Sequence, residues 1–347
     1  MTRRKDVHST QSATVRNRTH PAVQARATLA GHVAIMRVDH WFKNVFVLPG
    51  IVVALGFATP PSLGKLLATG ALALIATCLV ASSNYVLNEL LDARTDLHHP
   101  TKRCRPVPSG MVNVPLAYVQ WILLAVAGIA LSLLISKALA IVLLALWLMG
   151  CVYNAPPIRS KDIAYVDVLS EAVNNPIRML VGWYVVAPAG PAPISLLVSY
   201  WMVGCYFMGL KRFAELREFE SAEQAARYRH SFARVTANDL LVSVMFYASA
   251  AMLFFGAFAM RYRLELLGAF PLIALVMAVY LSLAFAPDSP VQHPERLYRA
   301  PMLMGAIVVC TVVMGTLLFI DLPWMHRTFA PTDAAPASAI SRHWGLP

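Results

Sequence analysis

Nine long apolar stretches recur along this chain of 347 residues. With a few flanking residues, each reaches the roughly 17 to 25 residues with which an α-helix crosses a bilayer. Only 14% of the residues are charged and 58% are hydrophobic, a composition that excludes a soluble globular protein. The chain is therefore predicted to be an all-α, polytopic membrane protein with about nine transmembrane helices, at 42–56, 66–91, 116–135, 139–153, 164–186, 194–210, 240–260, 264–285 and 301–320.

The lysines and arginines are unevenly distributed between the two sides of the predicted bundle. Twenty-two lie on the side of the N-terminus and six on the opposite side, with Arg178 inside a span. Cytoplasmic loops are enriched in Lys and Arg. The N-terminus and the polar loops 92–115, 154–163 and 211–239 are therefore predicted to be cytoplasmic and the C-terminus external, in an integral protein of the bacterial plasma membrane.

The two ends of the chain differ from its apolar middle. Residues 1–27 are rich in Arg, Ser and Thr and contain one acid, Asp6. They are predicted to form a disordered basic cytoplasmic tail, with a transit peptide as the alternative. Residues 28–321 are predicted to form a single transmembrane domain, and residues 322–347 a C-terminal tail. The five cysteines are scattered, and their spacing indicates neither a disulfide framework nor a zinc site.

The second apolar stretch ends in a cluster of oxygen ligands. Asn88, Asp92 and Asp96 are spaced by four residues, so on a helix they form one stripe. Carboxylates are disfavoured at a helix C-terminus, and polar groups at membrane depth are costly and usually mark function. Carboxylate and amide oxygens suit Mg²⁺, whose coordination is completed by water and phosphate oxygens. The motif therefore predicts a magnesium site for a diphosphate-bearing substrate.

A basic loop follows this motif directly. Lys102, Arg103 and Arg105 supply donors for phosphate oxygens, and the Arg guanidinium offers a planar fork. We interpret the loop as the wall of a Mg-diphosphate pocket. Basic residues at span ends also anchor helices at the interface, and from spacing alone both interpretations stay open for Lys43, Lys211 and Arg212.

The fifth apolar stretch carries a polar stripe. Asp167, Glu171, Asn174 or Asn175, and Arg178 follow one another at steps of three or four residues. The stripe could be a structural one, with an internal ion pair between Glu171 and Arg178. Because polar groups this deep in a span are expensive, a water-filled cavity lined by the stripe is the favoured interpretation.

The first motif resembles a signature of the UbiA superfamily of intramembrane transferases. It reads Asn88-Glu89-x-x-Asp92-x-x-x-Asp96, with Glu89 where the family usually has Asp. The resemblance covers residues 37–320 and implies nine helices around a central cavity, with Mg²⁺ and the diphosphate at its cytoplasmic mouth. It implies that Asn88, Glu89, Asp92 and Asp96 are metal ligands.

A later segment is similar to the second acidic motif of the same family. It reads Asp167-x-x-x-Glu171, again with one Glu for Asp. Tyr153 and Lys161 precede it in positions similar to the family's Tyr and Lys elements. The resemblance adds these residues to the expected site.

Three further segments look most similar to the decaprenyl-phosphate phosphoribosyltransferase branch of the superfamily. Enzymes of that branch use phosphoribosyl diphosphate and a polyprenyl phosphate, and the resemblance favours phosphate binding by Lys43, Lys211 and Arg212. The segments are Met36-Arg37-x-x-x-Trp41-x-Lys43-Asn44, His99-Pro100-Thr101-Lys102-Arg103-x-Arg105-Pro106 and Lys211-Arg212-x-Ala214-Glu215-Leu216.

The expected function is transfer of 5-phosphoribosyl to a polyprenyl phosphate with release of diphosphate. Because the segment from Tyr153 to Arg159 resembles the aromatic prenyltransferases, transfer of a polyprenyl group to an aromatic acceptor is the alternative. A membrane transporter or lipid-binding protein is the non-enzyme alternative.

The resemblance and the motifs together define the expected partners and site. The partners are a polyprenyl lipid, a diphosphate-bearing co-substrate and membrane lipids, with Mg²⁺ as cofactor and no nucleic acid; a homo-oligomer is left open. The predicted catalytic residues are Asn88, Asp92, Asp96, Asp167 and Glu171, and the predicted substrate-binding residues are Lys43, Lys102, Arg103, Arg105, Tyr153, Lys161, Asn175, Arg178, Lys211 and Arg212.

Overall fold

The structure is a computed structural model that describes residues 27–59, 61–97, 102–287, 289–292 and 294–329. Residues 1–26 of the predicted tail, 98–101 of the basic loop and 330–347 lie outside the described residues. The described chain is helical and contains no strand, which confirms the all-α prediction. Its α-helices are α1 (Leu29–Ala34), α2 (Leu48–Leu55), α3 (Leu63–Asp96), α4 (Val114–Leu133), α5 (Lys137–Asn154), α6 (Val166–Ala172), α7 (Asn174–Val186), α8 (Ile194–Leu216), α9 (Ala222–Tyr228), α10 (Ala237–Tyr262), α11 (Phe270–Ala284), α12 (Pro301–Phe319) and α13 (Pro323–Phe329).

Eight helical segments of the described chain are long and apolar enough to cross a membrane. The fifth predicted span, 164–186, is present as two helices, α6 and α7, which meet at Val173. Pro176 lacks the amide hydrogen with which a continuous helix would bond to the carbonyl of Ala172. These eight segments and the pair α6 and α7 therefore take the place of the nine predicted spans.

The first span begins earlier than predicted. It runs from Leu29 to Leu55 and contains a 3-10 segment, Val38–Val47, between α1 and α2. Arg37 separates α1 from this segment with a φ of 51°, in the left-handed region that a side chain with a Cβ rarely adopts. Lys43 and Asn44 consequently lie on the 3-10 segment and not on a regular α-helix.

Buried side chains join the helices into one bundle. One core packs α2, α3, α5 and α7 around Leu143 and Leu146. A second core packs α6, α8, α10, α11 and α12 around Tyr206 and Tyr247. A third cluster, which includes Met179 of α7 and Phe258 of α10, connects the two groups of helices.

Glycines let α2 and α7 approach each other closely. A Cβ atom at Gly182 would lie 2.0 Å from the carbonyl oxygen of Val47, and one at Gly50 would lie 1.9 Å from that of Met179. Helix backbones in membranes approach this closely only through small residues. The contact holds α7, and with it Arg178, against the first span.

The polar residues of the sequence motifs gather at one end of the bundle. There, a side-chain hydrogen bond links the C-terminal part of α3 to the end of α5. Two more link the C-terminal parts of α5 and α8 to Glu171 of α6. At the opposite end, the start of the predicted C-terminal tail forms α13. His326 of this short helix contacts Glu265 at 2.9 Å, so α13 is attached to the connection between α10 and α11.

Candidate functional site

The first acidic motif lies on a single helix. Because α3 continues to Asp96, the side chains of Asn88, Asp92 and Asp96 share one face of it. The Nδ2 atom of Asn88 donates to Oδ1 of Asn154 at 2.5 Å. Asn154 is the last residue of α5, so this bond ties the end of α5 to the motif.

Asp92 is bound by two cations from the loop between α5 and α6. Lys161 Nζ donates to Asp92 Oδ1 at 2.6 Å and to Oδ2 at 2.8 Å, and also to Oδ1 of Asn154 at 3.0 Å. Arg159 Nη2 donates to Asp92 Oδ1 at 2.8 Å. Burial lowers the pKa of Lys161, because desolvation penalises its ammonium group. The ammonium group of Lys161 thus lies among three oxygen atoms, the two of the Asp92 carboxylate and Oδ1 of Asn154.

The other two acids of this helix end face the loop that follows it. Asp96 Oδ2 accepts a hydrogen bond from Arg105 Nη1 at 2.7 Å. Glu89 is only 2% exposed, and its Oε1 accepts from the backbone amide of Val107 at 2.9 Å. Glu89 thus holds the loop in place, and it is close enough to Asp96 to interact with its charge.

The second acidic motif surrounds a buried arginine of α8. Arg212, 2% exposed, donates from Nε to Asp167 Oδ2 at 3.1 Å and from Nη2 to Glu171 Oε2 at 2.8 Å. Its Nη1 donates to Glu215 Oε2 at 3.1 Å. A buried charge is tolerated when it is paired and hydrogen-bonded in this way. Arg212, predicted to bind phosphate, here holds three carboxylates together.

Further polar groups connect this cluster to neighbouring elements. The hydroxyl of Tyr153 on α5 donates to Glu171 Oε2 at 3.0 Å. Ser231, in the segment before α10, donates from Oγ to Asp167 Oδ2 at 3.2 Å, and Arg229 Nη1 lies 3.7 Å from the same oxygen. The second motif is therefore part of a network that ties four elements together at one end of the bundle.

Lys102 lies between the two acidic clusters. Its ammonium group is 5.8 Å from the centre of the Tyr228 ring. The charges that act on it include Asp96 and Asp92 of the first cluster and Arg229 of the second. Burial lowers the pKa of Lys102 through desolvation. An anionic ligand bound between the two clusters would therefore be close to the ammonium group of Lys102.

A further group of cations lies deeper in the bundle. Arg178 Nε donates to Oδ1 of Asn44 at 3.0 Å. Lys43 Nζ lies 3.2 Å from Nδ1 of His40 and is close enough to Arg178 and Lys211 to interact with their charges. The structure thus brings together three residues that the sequence placed on three separate spans.

Two predicted residues lie apart from these groups. Arg103 is exposed on the surface of the basic loop. Asn175 lies against α8, where a Cβ atom at Gly204 would be 2.6 Å from its Nδ2. Their positions give them no contact with the two acidic motifs among the described bonds.

The structure also adds residues that sequence reasoning did not select for the site. Asn154 follows an apolar stretch directly and Arg159 lies five residues further along the chain, and their place at the end of a span could have identified them. Arg229 lies in a charged surface segment, where nothing local distinguishes it from its neighbours. Asn44 follows Lys43 at a span entry, and only the contact with Arg178 shows its importance.

The oxygen atoms at the end of α3 fit a magnesium ion. Within the described residues, no three His, Cys, Asp or Glu side chains form a cage for a metal. Mg²⁺ does not need one, since it is typically held by one or two carboxylates while water and substrate phosphates complete its shell. The cation-binding oxygens of Asp92 and Asn154, with the amide of Asn88 next to them, are a donor set of this kind.

Comparison with known sequences places this arrangement in one family. The model of the UbiA prenyltransferase family matches residues 45–307. The chain is 30% identical over 255 residues to the decaprenyl-phosphate phosphoribosyltransferase of Mycolicibacterium smegmatis, over 70% of this chain and 76% of that protein. It is 29% identical over 237 residues to the protein of the same name from Mycobacterium tuberculosis, over 67% and 74%.

Solved structures share the architecture. A UbiA homologue from Archaeoglobus fulgidus bound to GPP and Mg²⁺ superposes with a TM-score of 0.62 at 18% identity, over 83% of this chain and 99% of that one. The apo structure of a UbiA homologue from Aeropyrum pernix gives a TM-score of 0.53 at 16% identity, over 79% and 98%. The likeness establishes the fold of the bundle.

Proposed function

This chain belongs to the UbiA prenyltransferase family, and we propose that it transfers 5-phosphoribosyl from phosphoribosyl diphosphate to a polyprenyl phosphate. It is an integral membrane protein and a transferase. The donor, the acceptor and the requirement for Mg²⁺ are the proposed part. The relatives named decaprenyl-phosphate phosphoribosyltransferase support this choice over other reactions of the family.

The observation that carries the proposal is the presence of two separate groups of cations. Lys102 and Arg105 lie beside the acidic stripe at the end of α3. Arg178 is bonded to Asn44 in another place, and Lys43 lies within range of the charges of Glu171 and Arg178. One diphosphate needs only one such group, whereas phosphoribosyl diphosphate and a lipid phosphate together present phosphates at separate positions.

The residues of the first group suit the binding of the leaving diphosphate. Asn88, Asp92 and Asp96 would hold Mg²⁺, which when bound neutralises charge on the diphosphate oxygens. Lys102 and Arg105 would donate hydrogen bonds to those oxygens and stabilise the negative charge that develops on them. The bond from Arg105 to Asp96 keeps Arg105 positioned before the substrate arrives.

The reaction is a displacement at the anomeric carbon of the ribose. An oxygen of the lipid phosphate forms a bond to that carbon, while the bond from the carbon to the diphosphate oxygen breaks. The electron pair of the broken bond leaves with the diphosphate, and the product is a phosphodiester of the lipid and the phosphoribosyl group. The chain contributes by holding the two reactants on opposite sides of the ribose and by excluding water.

The direct test uses the purified full-length protein with Mg²⁺, labelled phosphoribosyl diphosphate and a polyprenyl phosphate. We expect label in the lipid phase and one diphosphate released per label transferred, with no transfer after the metal is chelated. A preparation that leaves all label in the aqueous phase, yet binds the donor, would contradict the proposed donor and acceptor.

Prenyl transfer to an aromatic acceptor is the second candidate. The observation that favours it is the likeness to a UbiA homologue bound to GPP and Mg²⁺. In this reaction the same metal site would bind the diphosphate group of a polyprenyl diphosphate. Incubation with labelled polyprenyl diphosphate and an aromatic acid separates the two candidates, since only prenyl transfer yields a labelled aromatic product.

A further inference from the structure

Arg178 is a charged residue inside the bundle that has no carboxylate partner among the residues that the structure describes. Its Nε donates to Asn44 Oδ1 at 3.0 Å and its Nη1 donates to the backbone oxygen of Asn174 at 3.3 Å. No ion pair of Arg178 with an acid occurs in the part of the chain that the structure describes. Arg212, the other arginine among the packed helices of the site, contacts three carboxylates. Arg212 thus has its counter-ions within the described chain, whereas Arg178 has none there.

Arg178 lies alongside the part of α3 that precedes the first acidic motif. Asn44, its partner, donates from Nδ2 to Cys78 Sγ at 3.1 Å, and Tyr85 is close enough to interact with Arg178 electrostatically. Cys78 lies ten residues and Tyr85 three residues before Asn88 on α3, which at a rise of about 1.5 Å per residue is about 15 Å and about 4.5 Å along the helix axis. The Arg178 side chain is thus placed deeper in the bundle than the proposed diphosphate site.

The surroundings of Arg178 are polar but carry little negative charge. Tyr85, Tyr200 and Cys78 are close enough to interact with it electrostatically, and each is an ordinarily neutral group. Glu171 is the acid within electrostatic range. The carboxylate of Glu171 is already bonded to Arg212 and to the Tyr153 hydroxyl. Arg178 itself is only half-buried, so part of the residue is accessible.

A guanidinium inside a membrane-spanning bundle is stabilised by an anionic partner. Ionisable residues within membrane spans are costly, face the bundle interior and pair with a counter-ion or mark a substrate pathway. Arginine also presents a planar fork that matches the oxygens of a phosphate group. A ligand that carries a phosphate would supply the counter-ion that Arg178 lacks among the described residues.

We propose that Arg178, positioned by Asn44, binds the phosphate group of the lipid acceptor. This assignment rests on the proposed function. The acceptor's phosphate is attached to a chain dissolved in the bilayer, so it reaches the bundle from the membrane side. The diphosphate is held at the end of α3, and displacement requires the attacking oxygen on the other side of the ribose. Because Arg178 lies deeper in the bundle than the diphosphate site, it can bind a phosphate that comes from the membrane and hold it on the side of the ribose opposite the diphosphate.

The other phosphate that could occupy this place is the 5-phosphate of the donor. Both ligands are phosphate monoesters, and Arg178 would bind either through the same donors. They differ in which Michaelis constant responds when the guanidinium is removed or neutralised. The experiment therefore measures the Michaelis constants for donor and acceptor separately in each variant.

Two variants test the assignment in different ways. Arg178→Gln removes the cation. Asn44→Asp keeps the cation but gives it a permanent carboxylate partner of the same shape as the asparagine, which competes with the acceptor phosphate. We expect each change to raise the Michaelis constant for polyprenyl phosphate by about tenfold or more, with the constant for phosphoribosyl diphosphate unchanged.

Equilibrium binding provides the second measurement. Wild-type protein should bind farnesyl phosphate at least about tenfold more tightly than farnesol, and both variants should lose this preference while binding farnesol as the wild type does. Arg261→Gln is the matched control, because Arg261 is exposed and lies over the Tyr262 ring at the other end of α10. If Arg178→Gln does not fold, Asn44→Asp alone decides the test.

The possible results separate this inference from the proposed function. An active wild type whose variants keep the acceptor constant and the preference for farnesyl phosphate would overturn the role of Arg178 and leave the function standing. A rise in the donor constant alone would overturn it in favour of the 5-phosphate. A wild type that transfers no phosphoribosyl, but whose preference for farnesyl phosphate depends on Arg178, would refute the function and support the phosphate site.

Discussion

Asp92 accepts hydrogen bonds from Lys161 and Arg159 and lies in the middle of the stripe on α3. Such a carboxylate has two tasks under the proposed function, since it neutralises two cations of the chain and would offer oxygens to a metal. Both tasks depend on its negative charge. A neutral isostere at this position therefore tests the charge without a change in volume.

We expect Asp92→Asn to lower the rate of transfer by at least roughly 100-fold, because loss even of an outer-shell partner of a metal site costs about 10- to 100-fold. Product formation as a function of Mg²⁺ concentration measures the effect. Asp162→Asn is the control, because Asp162 binds Arg159 but does not lie on α3. Equal losses in both variants would show that Asp92 acts only by holding the loop.

Glu89 has a different expected role. Because its Oε1 accepts from the amide of Val107, a glutamine can still accept that bond. Glu89→Gln should therefore keep the wild-type dependence on Mg²⁺ and lose about 1 kcal/mol of stability, the difference between a charged and a neutral hydrogen bond. Activity across a Mg²⁺ titration and the unfolding midpoint measure the two effects. A clear rise in the Mg²⁺ concentration needed for activity would instead identify Glu89 as a ligand.

Arg212 is expected to contribute to stability more than any cation around it. Arg212→Gln leaves three buried or half-buried carboxylates without their common partner, and the expected loss in free energy of unfolding is about 3–5 kcal/mol. Unfolding in detergent micelles measures it. Lys211→Gln is the matched control, since Lys211 Nζ is 3.9 Å from Glu215 and its loss should cost less than about 1 kcal/mol.

At the scale of elements, the contact between α2 and α7 determines where Arg178 lies. The backbones touch because both helices carry glycine at the crossing. The interruption between α6 and α7 has a separate effect, since it lets the acids of α6 face α8 while Arg178 faces the first span. The packing of these short helices is thus part of the site.

We expect Gly182→Ala to destabilise the protein by about 1–3 kcal/mol, because the added methyl group forces α2 and α7 apart. Gly315→Ala is the control on α12. A Cβ atom there meets nothing within 4 Å, and alanine is favoured in a helix interior. The test compares the unfolding midpoints of the two variants. Equal midpoints would show that the close contact between α2 and α7 does not contribute to stability.

At the scale of the whole molecule, the described polar clusters of both acidic motifs lie at one end of the bundle. The basic loops cluster on the same side of the sequence-derived topology, with 22 Lys and Arg against six. We propose that this end faces the cytoplasm, where a water-soluble donor is available. Under the proposed function, the acceptor in contrast enters from the bilayer. The molecule would then bring together one substrate from each phase.

The native cysteines allow a test of this orientation. Cys104 is the exposed cysteine, in the basic loop, while Cys78, Cys205 and Cys310 are buried and Cys151 is half-buried. A membrane-impermeant maleimide should label Cys104 in inside-out vesicles and not in intact cells. A Lys137→Cys variant made in a Cys104→Ser background should show the reverse. Labelling of Cys104 in intact cells would contradict the proposed topology.

Much of this molecule follows from patterns that are local in sequence. Apolar runs of sufficient length must be helices in a bilayer, because no water is present to bond an open backbone. The spacing of Asn88, Asp92 and Asp96 puts them on one face because a helix repeats every 3.6 residues. The family followed from the same motifs and is confirmed by the family match.

What the sequence by itself determined was the class of fold, the membrane spans, the face of α3 and the family. Only the tertiary structure decided which groups are partners: Asn154 and Asn88 are 66 residues apart and Arg178 and Asn44 are 134 apart. The physical reason is that the helical period sets where a side chain points, whereas packing between helices sets what it meets. Packing between helices also gives Arg212 its acidic partners and leaves Arg178 without one among the described residues.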